Sequence, residues 1–365
     1  MFETELEKRG IPLIPESKIR FDWEQTRQEI LNLLCQNEYG FLPPKPLKAE
    51  YMVLKEESVY FCAGKTVYQE ILASLTLENG VFEFPFFFVY PKNKENCPAI
   101  LHINFESLMP NKYMPIEEIC DHGFAVASFG YQDITSDDTD FSTGLAKWIY
   151  PDGIRTAPDA PGKIACWAWA AMRVMDFLQT HESINPKNIT VAGHSRLGKT
   201  ALLAAALDTR FACAHSNNSG CCGAALTRNK IGESLQDICT AFPYWFCKNF
   251  YAYINKENEL PFDQNFLVSA IAPRKVYIAS AAEDTWADPK SEFLCAAAAS
   301  KTYEALGLNG LVIKSEQHPE PGQCYHDGNI GYHLRTGSHF FSREDWQKLI
   351  AFLNKHSNET IQERL

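Results

Sequence analysis

The chain carries two kinds of hydrophobic pattern, and they change at about residue 98. Before it, Asp22 to Cys35 (DWEQTRQEILNLLC) has apolar residues at helical spacing, and Gly40-Phe-Leu-Pro-Pro ends that run. Stretches around Tyr51 to Leu54 and Phe82 to Tyr90 alternate like strands with one face covered. After it, the apolar runs are short and continuous: Ala99 to Phe105, Phe124 to Phe129, Ile189 to Ala192, Phe211 to Ala214, Val276 to Ser280 and Leu311 to Lys314. Helical patterns lie among them at Lys163 to Leu178, Thr200 to Leu207 and Phe293 to Leu306, and the chain closes on one at Trp346 to Leu353.

Short buried strands alternating with helices predict βαβ units, right-handed crossovers and a mostly parallel sheet. The alternating early strands predict an antiparallel start. The expected fold class is therefore α/β, with a mixed, mostly parallel sheet flanked by helices. Residues 1–50 read as an N-terminal extension packed on one large domain, 51–365. Trp167, Trp169 and Phe177 fall at helical positions and are expected in the core.

Composition narrows the function classes. The chain of 365 residues is 45% apolar and 22% charged, which is globular rather than disordered. Its 34 basic and 45 acidic side chains give a net charge of −11. Without a basic block, that argues against nucleic acid or an anionic membrane as partner. No apolar run is long enough to span a bilayer. Twelve cysteines form no zinc-type spacing, and Cys166, Cys213 and Cys295 sit in apolar runs, where cysteine acts as a small hydrophobe. MFETELEKRG has no apolar export core. The expectation is a cytoplasmic protein with reduced thiols and neither metal nor cofactor; the oligomeric state is left open. The acidic loop Ser136-Asp-Asp-Thr-Asp140 lacks the glycine and distal glutamate of a calcium loop, so a solvated or substrate-rim role is expected.

The sharpest local signal is Ile189-Thr-Val-Ala-Gly193-His194-Ser195-Arg196-Leu197-Gly198-Lys199. A buried strand runs into Gly-His-Ser and a helix follows, the context of a nucleophile elbow. The helix amide groups, that of Arg196 first, would face a developing oxyanion. A second donor is expected near Glu106 and Ser107, in the loop after Ala99 to Phe105. The usual second glycine of the elbow is Leu197 here, with Gly198 one later. Gly193 to Thr200 also satisfies the spacing of a nucleotide-binding P-loop. Its place in mid-chain and the absence of a clear partner strand ending in Asp make that a rival reading.

A serine needs a histidine to take its proton and an acid to orient that histidine. In α/β-hydrolases the chain order is Ser, acid, His. After the strand Val276 to Ser280, three carboxylates compete. Asp284 stands at the turn and ranks first, Glu283 is the alternative, and Asp288 before Pro289 reads as a helix cap. The base is expected between the last strand, taken as Leu311 to Lys314, and the closing helix. His339, in the turn Thr336-Gly-Ser-His339, ranks above His333, His318 and His326.

At these residues the sequence resembles the glucuronoyl esterases, carbohydrate esterase family fifteen, of bacterial type. Gly193-His-Ser-Arg-Leu-Gly-Lys199 looks like their G-C/H-S-R-x-G-K signature. Similar stretches are Ser216-Asn-Asn-Ser-Gly220, Tyr244-Trp-Phe246, Leu260-Pro-Phe-Asp263, Ile271-Ala-Pro-Arg274 and Asp284-Thr-Trp286. The resemblance implies an α/β-hydrolase fold and metal-free hydrolysis of an ester between a lignin alcohol and the glucuronate of xylan. It further implies an Arg196 guanidinium near the oxyanion, Lys199 on sugar hydroxyls and Trp286 lining the sugar site. Two positions depart from the pattern. Asn218 stands where many members carry the catalytic Glu, which leaves the acid to Asp284. Phe242 falls where fungal members have a sugar-binding Glu, so an acetylated-sugar deacetylase is the alternative activity. A small carbohydrate ester, taken as an imported fragment, is the expected substrate. An inactive carbohydrate-binding relative is the rival from outside the enzymes.

Overall fold

The computed structural model describes residues 2–58, 61–314 and 317–362. Ten strands form one sheet: β1 Lys48–Glu57, β2 Thr66–Leu77, β3 Gly80–Pro91, β4 Cys97–Asn104, β5 Ala125–Gly130, β6 Ile184–His194, β7 Cys213–Asn217, β8 Lys275–Ala281, β9 Cys324–Tyr325 and β10 Ile330–Arg335. Their order across the sheet is β1-β2-β3-β5-β4-β6-β7-β8-β10-β9. From β5 to β10 all neighbours are parallel; β1 to β3 and the short β9 attach antiparallel.

The continuous apolar runs are explained by cover on both faces. In β4, Ala99, Leu101 and Ile103 join one core while Ile100 joins the other. The long helices are α1 Trp23–Leu34, α2 Lys163–Leu178, α3 Arg196–Leu207, α4 Pro289–Ala305 and α5 Arg343–Gln362. Residues of α2, α3 and α4 line the larger core, and α5 covers the other face. Trp167, Trp169 and Phe177 are buried in α2, as their spacing predicts. Asp22 caps α1 by accepting from the Gln25 amide at 3.0 Å. The first fifty residues are tied to the rest by Arg27, which donates to Ala270 O and Ala206 O on two segments of the main domain.

Two expectations need correction, and one strand lies where none is expected. Leu311 to Lys314 is an irregular segment; the last parallel strand is β10. β2 gave no clear pattern in the sequence. The closing helix is far longer than Trp346 to Leu353. The parallel register then fixes the place of the site. Ile103 pairs with Gly193, His194 with Asn217, Asn217 with Ala279 and Ala281 with Arg335. The C-terminal ends of β4, β6, β7, β8 and β10 therefore meet along one edge, where open α/β sheets bind ligands.

Candidate active site

Ser195 is a single-residue turn between β6 and α3. Its φ of 57° and ψ of −126° are unusual for a residue with a side chain. The neighbours explain how the chain turns there. A Cβ on Gly193 would lie 2.0 Å from Leu197 O, so only glycine fits. Gly198, one place later than the usual pattern, lies where a Cβ would already touch Ser219 Cβ at 3.0 Å. The Ser195 amide donates to Asn217 O at 2.8 Å, which fastens the turn to β7. This geometry rules out a phosphate loop. His194 ends the strand and Arg196 to Thr200 are already helix, leaving no loop to wrap a phosphate. The first amide groups of α3, that of Arg196 included, have no acceptor inside the helix.

Asp284 sits in the turn after β8, its amide donating to Ala281 O at 3.1 Å. It is buried, and Asp284 Oδ2 lies 2.6 Å from His339 Nδ1. The same oxygen accepts from Asn218 Nδ2 at 2.9 Å, and Oδ1 accepts from the Ala287 amide at 3.3 Å. Burial opposes ionisation. The hydrogen bond and charge of His339, with the Asn218 amide, outweigh it and hold the carboxyl below its usual range. Glu283 is exposed and engages the Gly337 amide at 3.2 Å, so it braces the loop of His339 without touching the ring. Asp288 caps α4, accepting from the Ser291 amide at 3.1 Å.

His339 stands in the loop between β10 and α5, with its side chain 44% exposed. Its ring packs on that of His194 at 4.4 Å, and His194 immediately precedes Ser195. Burial, with the neighbouring His339, pushes His194 down to about 3, so it is a neutral support. The loop is held from below by Arg335. The guanidinium donates to Thr336 O, Ser338 O and Phe340 O and pairs with buried Asp345. His333 is fully interior, between the Tyr277 hydroxyl at 2.9 Å and Asp345 at 2.9 Å. His318 pairs with Glu5 on the N-terminal extension, and His326 meets the Tyr277 hydroxyl.

The Arg196 side chain has a partner the sequence did not reveal. Its guanidinium pairs with the Asp137 carboxylate and lies 4.7 Å from the Trp245 ring centre, 5.1 Å from Phe242 and 5.7 Å from Phe105. Asp137 also accepts from Trp245 Nε1 at 2.7 Å and the Tyr131 hydroxyl at 2.9 Å. The acidic loop is thus an anchor for Arg196 instead of a free rim. Phe242 lies flat on Trp245, with ring centres 3.8 Å apart and planes 2° apart. Lys199 is buried; its Nζ donates to Ser219 O and lies 5.9 Å from the Trp245 ring centre. Trp286 is 56% exposed at the rim. The Glu106 amide, expected as an oxyanion donor, is engaged by Asn104 Oδ1 at 3.3 Å. Ser107 faces the end of β5, where a Cβ on Gly130 would strike its hydroxyl. Among the described residues no cluster of His, Cys, Asp or Glu could hold a metal ion, and no helix is long and apolar enough to cross a membrane.

The strand order, the strained serine between strand and helix, and the acid and histidine on the loops after β8 and β10 define an α/β-hydrolase. The family model of fungal glucuronyl esterases matches residues 75–307, and the chain belongs to the glucuronoyl esterase family. It is 44% identical over 243 residues to carbohydrate esterase MZ0003 of an unknown prokaryotic organism, covering 66% of this chain and 55% of that one. It is 30% identical over 299 residues to 4-O-methyl-glucuronoyl methylesterase of Podospora anserina, covering 78% of this chain and 57% of that one. The chain thus spans little more than half the length of these curated relatives. Among solved structures, a promiscuous esterase of carbohydrate esterase family fifteen from a marine bacterial metagenome superposes with a TM-score of 0.82. Its identity is 33%, over 91% of each chain. The glucuronoyl esterase from Solibacter usitatus gives a TM-score of 0.81 at 29% identity, over 90% of this chain and 91% of that one.

Proposed function

We propose that this chain is a serine esterase that cleaves glucuronoyl esters of small carbohydrates. The observation that carries the reading is the Asp284–His339 pair, 2.6 Å apart, packed through His194 against the Ser195 turn. Ser195 Oγ attacks the ester carbonyl carbon and its proton passes to the ring nitrogen of His339 that faces away from Asp284. Asp284 holds Nδ1–H and offsets the charge of the imidazolium. The oxyanion meets the amide at the start of α3, with the Arg196 side chain beside it. Collapse expels the alcohol, which takes its proton from His339. Water then repeats the sequence on the acyl-enzyme and releases the acid and free Ser195.

Lys199 and Trp286 are assigned to the sugar. An ammonium that among the described residues meets one carbonyl and one ring face keeps donors for hydroxyl groups, and an exposed indole can cover a sugar face. Support for the activity comes from the glucuronoyl methylesterase and glucuronoyl esterase names of the relatives. A deacetylase is the second reading, favoured by one observation: Phe242 is stacked on Trp245 and offers sugar hydroxyls no acceptor. We place the enzyme in the cytoplasm, acting on imported fragments. The reading leans on ten buried cysteine thiols that pack as small apolar groups. Non-reducing mass analysis showing several disulfides would refute that placement.

The test is kcat/KM on benzyl glucuronate against acetylated xylo-oligosaccharide, for wild type, Ser195→Ala and Lys199→Ala. Cleavage of the glucuronate ester, lost in Ser195→Ala and weakened in Lys199→Ala, is expected. Cleavage of the acetate alone, unaffected by Lys199→Ala, moves the protein to the deacetylase reading. Activity unchanged in Ser195→Ala refutes the serine mechanism.

A further inference from the structure

Glu292 is a fully buried carboxyl one turn into α4, and the mechanism above makes no use of it. Its Oε1 accepts from the Gly220 amide at 2.9 Å and its Oε2 from the Ser280 hydroxyl at 2.6 Å. Burial pushes this carboxyl up to about 7; the two hydrogen bonds lower it and the nearby Asp284 and Asp288 charges raise it. An apolar side chain would occupy such a position at lower cost.

What the two hydrogen bonds hold explains why it is there. Gly220 closes the segment 217–220 at the end of β7, and its first three residues each have an output at the site. Asn217 O accepts the Ser195 amide. The Asn218 side chain donates to Asp284, and Ser219 O accepts from Lys199 Nζ. Asn218 and Gly220 both have left-handed φ, 46° and 59°, and the Gly220 amide at the end of this bend is held by Glu292. Ser280, on the far side of Glu292, lies on β8 four residues before Asp284.

We infer that Glu292 is a positioning residue that locks the turn 217–220 to β8, so that one turn sets both the donor on Asp284 and the acceptor of Lys199. It acts through Asn218 and Ser219 and touches no substrate atom. The inference rests on the assignment of Asp284 and Lys199 made above.

The experiment compares Glu292→Ala, Glu292→Gln and Ser280→Ala in the full chain, each alone and with Asn218→Ala. Melting temperature is recorded beside kcat and KM on benzyl glucuronate. Glu292→Ala should lower kcat about tenfold and raise KM severalfold, since both outputs of the turn loosen. Glu292→Gln should rescue most of the loss, because its carbonyl can accept from Gly220 and its amide can donate to Ser280. With Asn218→Ala already present, Glu292→Ala should cost little further kcat while the KM effect persists. Wild-type kcat and KM in folded Glu292→Ala overturn the inference. So do a kcat loss fully multiplicative with that of Asn218→Ala and a Glu292→Gln no better than Glu292→Ala. Should Glu292→Ala fail to fold, Ser280→Ala supplies the same cycle by removing one of the two hydrogen bonds. Ser195→Ala serves as the separate control: if it retains activity, the underlying triad has failed, whatever the Glu292 series shows.

Discussion

Replacing Asp284 by Asn tests the assignment of the acid at the level of single hydrogen bonds. In the native site, Oδ2 faces two nitrogens, His339 Nδ1 at 2.6 Å and Asn218 Nδ2 at 2.9 Å. Oδ1 faces a third, the Ala287 amide at 3.3 Å. A carboxylate accepts from all three. An amide cannot: with its NH2 toward Asn218 and His339 it opposes the Asn218 donor, and with its oxygen there the NH2 opposes Ala287. The first arrangement also leaves Nδ1 as the acceptor and puts the proton on the nitrogen meant to accept from Ser195. Wrong-tautomer losses of this kind are about 10⁴ in kcat, or about 5.4 kcal/mol of transition-state stabilisation. The assay is steady-state hydrolysis of benzyl glucuronate, with melting temperature as a fold check. KM should change little, because Asp284 contacts the base and not the ester. Glu283→Gln should stay within about threefold of wild type, since its side chain is exposed and meets only the Gly337 amide. Asp284→Asn within tenfold of wild type, beside a dead Glu283→Gln, would refute the reasoning and transfer the role to Glu283.

Arg335→Met should destabilise the protein by about 3–5 kcal/mol, because it strands Asp345 as a buried charge with its main cationic partner gone. It should also lower kcat more than it changes KM, because the carbonyls flanking His339 lose their donor; calorimetry and kinetics on one preparation check both. Asp137→Ala should lower kcat about tenfold by releasing the Arg196 guanidinium beside the oxyanion, a loss of about 1.5–3 kcal/mol for a charge-assisted hydrogen bond. An unchanged kcat would mean that the aromatic rings alone hold Arg196. Stability should fall on acidification below pH 6.5. Burial first, with histidine neighbours, lowers His102 and His194 to about 3, and burial lowers His215 to about 4. Between those values and 6.5 the unfolded chain binds their protons and the folded chain does not. Each histidine thus costs about 1.4 kcal/mol per pH unit descended. Glu38 and Glu292, raised by burial to about 8 and about 7, act oppositely and gain stability as pH falls toward 4.5. With His326, which burial chiefly lowers to about 4, four histidines against two glutamates leave a net loss. A melting temperature that holds or rises from pH 6.5 to 5 would contradict this balance.

What could be read from the sequence was whatever depends on neighbours in the chain. The strand–serine–helix unit, the Asp288 cap and the α2 core aromatics are local, and they stand where their spacing put them. The misread pieces depend on distant partners. Leu311 to Lys314 has the composition of a buried strand yet pairs with none. β10 (IGYHLR) looks too polar for an interior strand, but His333 and Arg335 are satisfied by Asp345 on α5. Asp137 was indistinguishable from its solvated neighbours, because its partners Arg196 and Trp245 lie 59 and 108 residues along the chain. Asn218 departs from the family pattern, but its bond to Asp284 is not legible without the fold.

The serine turn owes its shape to Gly193, to the Asn217 carbonyl and to the helix that follows, and the Ser195 hydroxyl has no part in it. Geometry and reactivity are therefore separable at this position. Ser195→Ala keeps the β carbon and the amide that fix the bend, so the vacant pocket retains its contours after the chemistry has gone. Such a protein is a ready trap: soaked with candidate esters, it holds whichever one fits, uncleaved, long enough to be identified by diffraction or mass spectrometry. A mixture of plant-wall fragments offered to that trap would let the protein select its own ligand, without a prior choice between a glucuronate and an acetate.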